Sequence, residues 1–165
     1  MNWYKIGQEN NGTKDEVPEW DYPGADHDYN PSWDYEIDTK ADAVIVNYVN
    51  QYIDTLKKEL FPQLDVMEDI KPAFIKNEKK ALGKYISGTM QYAIILINVD
   101  LIKKMAKKYK DSIYRVIDMT ILHELAHAIQ DSLNMYMNEE QAESFAVAYY
   151  YSKTIERFWE EKKGK

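Results

Sequence analysis

Between Ser112 and Ser132 the chain places Ile113, Val116, Ile117, Met119, Ile121, Leu122, Leu125, Ala126 and Ile129 in nearly every direction around a helical wheel. A helix that is apolar all round belongs at the centre of a domain, not on one side of its surface. Everything else must therefore be arranged around it. The same segment also holds His123, Glu124 and His127, and the whole chain has only three His. Buried polar groups without partners cost on the order of several kcal/mol each. These three side chains need a reason to be there.

The remaining pattern supplies the neighbours. Ala41, Val44, Ile45, Tyr48, Val49, Tyr52, Ile53 and Leu56 recur at three- and four-residue spacing and predict an amphipathic helix that Pro62 ends. Residues 62–72 read as a loop closed by Pro72. Short β-like runs follow at 73–76, 82–87 and 92–97, the last a continuous Ile-rich run suited to a strand buried on both faces. Asn98 is placed to cap a helix reaching Lys110, whose five lysines read as a solvated face. After a loop at 133–138, Asn138 precedes Glu139 and Glu140 as a helix cap with acids in the first turn. The last helix then runs into Phe158 and Trp159.

Charge divides the chain at about residue 39. The net charge is −7, and residues 1–40 hold 10 acids and 3 bases, so the rest is balanced. The first stretch also carries Trp3, Trp20 and Trp33, four Tyr and three Pro, with few aliphatic side chains. We read residues 1–39 as an acidic, aromatic arm lying irregularly on a domain formed by residues 40–165, with a free tail as the alternative. His27, between Asp26 and Asp28, is either an ordinary surface His or part of an arm that crosses a cleft and keeps it latent. With no Cys, disulfides, thiolate metal sites and a cysteine nucleophile are excluded. No apolar run approaches the roughly 18 residues a membrane span needs, and the start lacks a secretory h-region, so the expectation is a soluble, cytoplasmic protein. A neutral domain with an acidic arm disfavours nucleic acid as partner.

His123-Glu124-Leu125-Ala126-His127 is an H-E-x-x-H sequence on the central helix. Its imidazoles project one turn apart from one face and can share a metal ion. Glu124 is rotated about 100° from His123 and can reach a water on the metal instead. The alternative is a hydrogen-bonded pair of core histidines. Zinc takes three protein ligands and keeps one position open. Glu139 and Glu143 lie one turn apart on the next helix, where Ala142 and Ala146 permit close approach. Glu139 is the candidate third ligand, and Glu143 the acceptor for a ligand histidine's other N–H. The competing readings are a solvated acidic helix start and, for the ligand, Asp131.

These motifs resemble the gluzincin metallopeptidases, in which H-E-x-x-H is followed by a glutamate helix of the form N-E-x-x-[SA]-[DE]. Here that stretch reads Asn138-Glu139-Glu140-Gln141-Ala142-Glu143, with Glu139 only 12 positions after His127. The likeness is to short, minimal zincins, including phage- and plasmid-associated ones, and it covers about Leu82 to Ala148. Metzincins are excluded, because Gln130 and Leu133 stand where that pattern needs Gly and His or Asp. The resemblance implies an α+β, zincin-like fold: a small, mostly antiparallel sheet packed on the H-E-x-x-H helix and a following glutamate helix. It implies Zn²⁺ as cofactor, His123, His127 and Glu139 as ligands, Glu124 as general base and a peptide or protein substrate. Such enzymes hold substrate against an edge strand, for which Gly88–Ile97 is the candidate; Tyr136, Tyr149 and Tyr150 are candidates for stabilising the oxyanion. The competing function is a non-catalytic binding or regulatory protein whose acidic arm engages a basic partner.

Overall fold

In a computed structural model of the chain, residues 36–60, 70–86 and 93–163 are described. They form β1 (Glu36–Ile37), α1 (Ala43–Leu60), β2 (Ile70–Lys76), β3 (Gly83–Ile86), β4 (Ala93–Asn98), α2 (Val99–Lys108), α3 (Ile113–Ser132) and α4 (Glu139–Lys163). This is an α+β arrangement of one four-stranded sheet and four helices among the described residues.

The sheet order is β1-β2-β4-β3. β1 pairs antiparallel with β2, and β3 antiparallel with β4, but the longest ladder, β2 with β4, is parallel. The sheet is therefore mixed: two of its three pairings are antiparallel, as expected, and the longest ladder is parallel. β4 lies between β2 and β3, as its Ile-rich run requires: Ala93, Ile95, Leu96 and Ile97 are all buried. Being interior, it cannot serve as the edge strand expected at Gly88–Ile97; residues 88–92 lie outside the described set. The edge on that side is β3. Pro72 also falls inside β2, not at the end of a loop. Among the described residues β1 pairs only with Ile75 and Lys76, so no described strand calls for a Pro72 N–H on that side.

The core lies between one face of the sheet and the helices. α1 contributes Ile45, Val49, Ile53 and Leu56, one continuous stripe, while Val44 turns outward. β4 contributes Ile95 and Ile97, and α2 contributes Ile102 and Met105. Asn98 joins strand to helix: its Oδ1 accepts from Leu101 N–H, and its Nδ2 donates to the carbonyls of Glu78 and Ala81 at 2.6 and 3.0 Å. One buried amide thus caps α2 and pins the β2–β3 connection.

α3 begins at the Ser112 cap and is buried along most of its 20 residues, as its wheel predicts. It ends in a Schellman turn, where Met135 N–H donates to the Gln130 carbonyl and Asn134 N–H to that of Asp131. Asn134 takes the left-handed conformation the turn requires (φ 55°), which Asn tolerates better than most residues. Asn138 Oδ1 accepts from Gln141 N–H and starts α4. Ala142 and Ala146 are fully buried against α3, so two methyl-sized side chains set a close helix approach.

Opposite the histidines, α3 buries Asp118, whose Oδ1 accepts a 2.7 Å hydrogen bond from the Tyr48 hydroxyl. Burial raises the Asp118 carboxyl to about 6, against the opposing effects of the Tyr48 hydrogen bond and the Arg157 charge. The folded state then holds a proton that the unfolded chain releases near 3.8. Stability contributed by Asp118 is present at low pH and lost as pH rises through that window. Asp118→Asn keeps an acceptor for Tyr48 and should remove this loss, a relative gain of about 2–3 kcal/mol on going from pH 4 to pH 7. Urea unfolding at both pH values checks it; equal pH slopes in parent and variant would contradict the assignment.

Candidate metal centre

The H-E-x-x-H turn sits in the buried middle of α3, and His123, Glu124 and His127 are all buried. One ligand atom from each of the three lies within 4.8 Å of the others, a group that could hold a metal ion. The helical spacing sets the two rings edge to face, with centroids 4.9 Å apart. α4 brings Glu139 onto both: its Oε2 lies 2.6 Å from His123 Nε2, and its Oε1 3.2 Å from His127 Nε2. Glu143, one turn on, places Oε2 3.2 Å from His123 Nδ1. The five residues singled out in the sequence are therefore brought together.

The hydrogen bonds behind the rings decide which nitrogen faces the centre. A carboxylate only accepts, so His123 donates its Nδ1–H to Glu143 and turns Nε2 inward. For His127 the equivalent partner is Gln130, whose Oε1 accepts from His127 Nδ1–H at 2.8 Å and from Asn138 N–H at 3.2 Å. The Gln130 amide Nε2 donates to the Asn138 carbonyl at 3.1 Å and to Gln141 Oε1 at 3.2 Å. One buried amide fixes a ring and ties the end of α3 to the start of α4. Gln130 was not among the expected site residues. Its position three residues after His127, on the same helix face, is the signal that could have found it.

The electrostatics follow from crowding. Burial alone would lower the His123 pKa, but hydrogen bonds to Glu139 and Glu143, with the charges of Glu124 and Glu139, raise it to about 10. His127 is likewise raised despite burial, chiefly by Glu139 and then Glu124. Burial would raise the Glu139 carboxyl, yet its hydrogen bonds to both rings hold it below the usual carboxylate range. Glu124 moves the other way: burial lifts it, and the two histidines only partly offset that. Lys84 on β3 is lowered to about 8 by lost hydration, opposed by Glu78, Glu124 and Glu139.

The donor set fits a divalent cation. Three carboxylates and two imidazoles converge, so neutral rings leave a large buried negative charge that only bound protons or a cation can balance. Glu143 Oε1 is buried with no hydrogen-bond partner among the described residues, a further sign of unbalanced charge. Two imidazole Nε2 atoms with one carboxylate suit zinc chemically.

The surroundings also show what lies outside the cluster. β3 runs beside α3 so closely that a Cβ on Gly83 would meet Thr120 Cγ2 at 2.6 Å and the Leu96 carbonyl at 2.9 Å, with Glu124 Cγ at 3.5 Å. Asp131 accepts from the Tyr85 hydroxyl at 2.6 Å, which gives it a structural partner in place of a ligand role. The Tyr149 hydroxyl donates to Glu59 on α1, Tyr150 lies under Arg115, and Tyr136 is exposed. None of these three tyrosines makes a described hydrogen bond to the cluster. A cavity lined by Val44, Asn47, Tyr48, Gln51 and Tyr114 shares no residue with it. His27 falls outside the described residues.

If Gln130 fixes the His127 tautomer, Gln130→Leu should weaken metal binding roughly 10- to 100-fold, whereas Gln130→Glu, which keeps an acceptor, should retain most of it. Chelator competition measures both, and undiminished affinity in the leucine variant would contradict this role. Compared with protein-family models, with curated proteins and with solved structures, the chain matches none.

Proposed function

We propose that this protein is a zinc-dependent metallopeptidase that cleaves peptide bonds with Glu124 as general base. The observation that carries the reading is the convergence of two inward Nε2 atoms, from His123 and His127, on the Glu139 carboxylate beside Glu124. His123, His127 and Glu139 would hold the ion, with Glu143 and Gln130 orienting the two rings. Zinc supplies a polarised scissile carbonyl and a water acidified to a pKa of about 7.

Glu124 takes the proton of the attacking water as the new C–O bond forms. It then delivers that proton to the departing amine nitrogen as the C–N bond breaks. Burial raises the proton affinity of its carboxyl, the direction that makes it a stronger base. The substrate is an unfolded or extended peptide. β3 is the sheet edge beside Glu124, and an extended chain laid along it gains backbone hydrogen bonds without depending on its side chains. The absence of a side chain at Gly83 leaves the close β3–Glu124 approach open. No helix among the described residues is long and apolar enough to cross a membrane. A cytoplasmic site of action belongs to the same proposal.

Glu124→Gln should leave zinc content unchanged and lower hydrolysis of denatured proteins or peptide libraries by about 10²- to 10⁴-fold. Chelation should abolish hydrolysis in the parent and added zinc restore it. Undiminished cleavage by the glutamine variant, or no cleavage by zinc-loaded parent, would refute the proposal.

A further inference from the structure

α4 has two apolar faces, and α3 covers one of them. Ala142, Glu143 and Ala146 are buried on that side. Ile155, nine residues after Ala146, points about 180° away from it. There Tyr151, Ile155, Phe158 and Trp159 are 40%, 57%, 51% and 58% exposed. From Thr154 to Lys163 every residue of α4 is exposed, so the described domain gives this stretch little packing. A helical stretch that short is marginal in water unless one of its faces is covered. The outward stripe also has the period of a helix-to-helix seam. Ser144, Ala148, Tyr151, Ile155, Phe158 and Lys162 follow at steps of 4, 3, 4, 3 and 4 residues, and all six are exposed. That alternation is the a/d pattern of a coiled coil. Side chains are small where the stripe begins and large where it ends, so the stripe complements itself on reversal.

We infer that the outward face of α4 is an interaction surface for a second copy of this chain, paired antiparallel about a two-fold axis at the level of Lys153. That register sets Ser144 against the partner's Lys162, Ala148 against the partner's Phe158 and Tyr151 against the partner's Ile155. A small side chain thus meets a large one in the outer layers, and an aromatic meets an aliphatic in the inner ones. Trp159 falls beside the partner's Phe145, and no like charges meet across the seam. A parallel pair would instead put Lys162 against its own copy. Lys162 already lies along the stripe, with Nζ 5.3 Å from the centroid of the Phe158 ring. The four half-exposed large side chains offer about 100 Å² each. With the smaller seam residues, the two copies together bury roughly 1,000–1,200 Å², the lower end for a specific interface. That size suits a reversible dimer with a dissociation constant on the order of micromolar. Glu139 and Glu143 lie on the α3 side of the helix, so the pairing leaves the metal centre untouched.

Sedimentation equilibrium of the full-length protein should show monomer and dimer exchanging at micromolar concentration. Ile155→Glu combined with Phe158→Glu should weaken the dimer at least about 100-fold. A parent chain that stays monomeric up to about 100 µM overturns the inference. If that monomer floats with vesicles of anionic phospholipid, the stripe serves a lipid surface instead. A dimer that survives the double substitution overturns it too, because another face then holds the copies together. Should the doubly substituted chain fail to fold, thiols introduced into this Cys-free chain decide. Ser152→Cys sits beside the axis and should form a disulfide-linked dimer on mild oxidation. Lys162→Cys lies about 27 Å from its own copy and should not link alone, but should link when mixed with Ser144→Cys. Lys162→Cys that links to itself as readily as Ser152→Cys overturns the antiparallel register, and no linkage in any of these chains overturns the surface.

Discussion

Two imidazoles on one helix and one carboxylate on the next share a buried centre, and the architecture around them is arranged to permit it. His123 and His127 can point inward together because their spacing is one helical turn. They can be buried because α3 is surrounded on every side. Glu139 reaches both because Ala142 and Ala146 let α4 approach closely and the Schellman turn at Asn134 brings the chain straight back. Removing any of these conditions would leave charged groups in a medium that cannot solvate them, at a cost of several kcal/mol.

The hydrogen bonds behind the rings are as informative as the groups in front. Glu143 and Gln130 each occupy one histidine Nδ1, so both Nε2 atoms face the same point. The opposing shifts of Glu124 and Glu139 have one physical origin. Glu139 is hydrogen-bonded by both rings, whereas Glu124 feels them only at a distance and is dominated by burial. The two carboxylates of one cluster thus acquire different proton affinities.

Much of this was legible in the sequence, because it depends on local spacing. The all-round apolar wheel of α3, the Asn98 and Asn138 caps and the Glu139/Glu143 face are patterns within a few turns of chain. What was not legible depends on pairing between distant segments. Nothing in the Ile-rich run of β4 says which strands flank it, so its local pattern fits an edge as well as the interior position that pairing with β2 and β3 gives it. Pro72 looked like a boundary because its missing N–H matters only where a neighbouring strand needs it. Val44 fits the apolar stripe of α1 by spacing but falls beyond the reach of the sheet and is exposed. Gln130 carries no motif; its role exists only once α4 has folded back beside α3.

The most direct measure of the account is the metal content of the purified protein with and without its inward-facing groups. Elemental analysis should find one zinc per chain in the parent, and loss of nearly all of it in His123→Ala and in Glu139→Ala, with the helical circular dichroism retained. A parent that holds no zinc even when purified and dialysed against the metal would contradict the account. So would full occupancy that survives both substitutions.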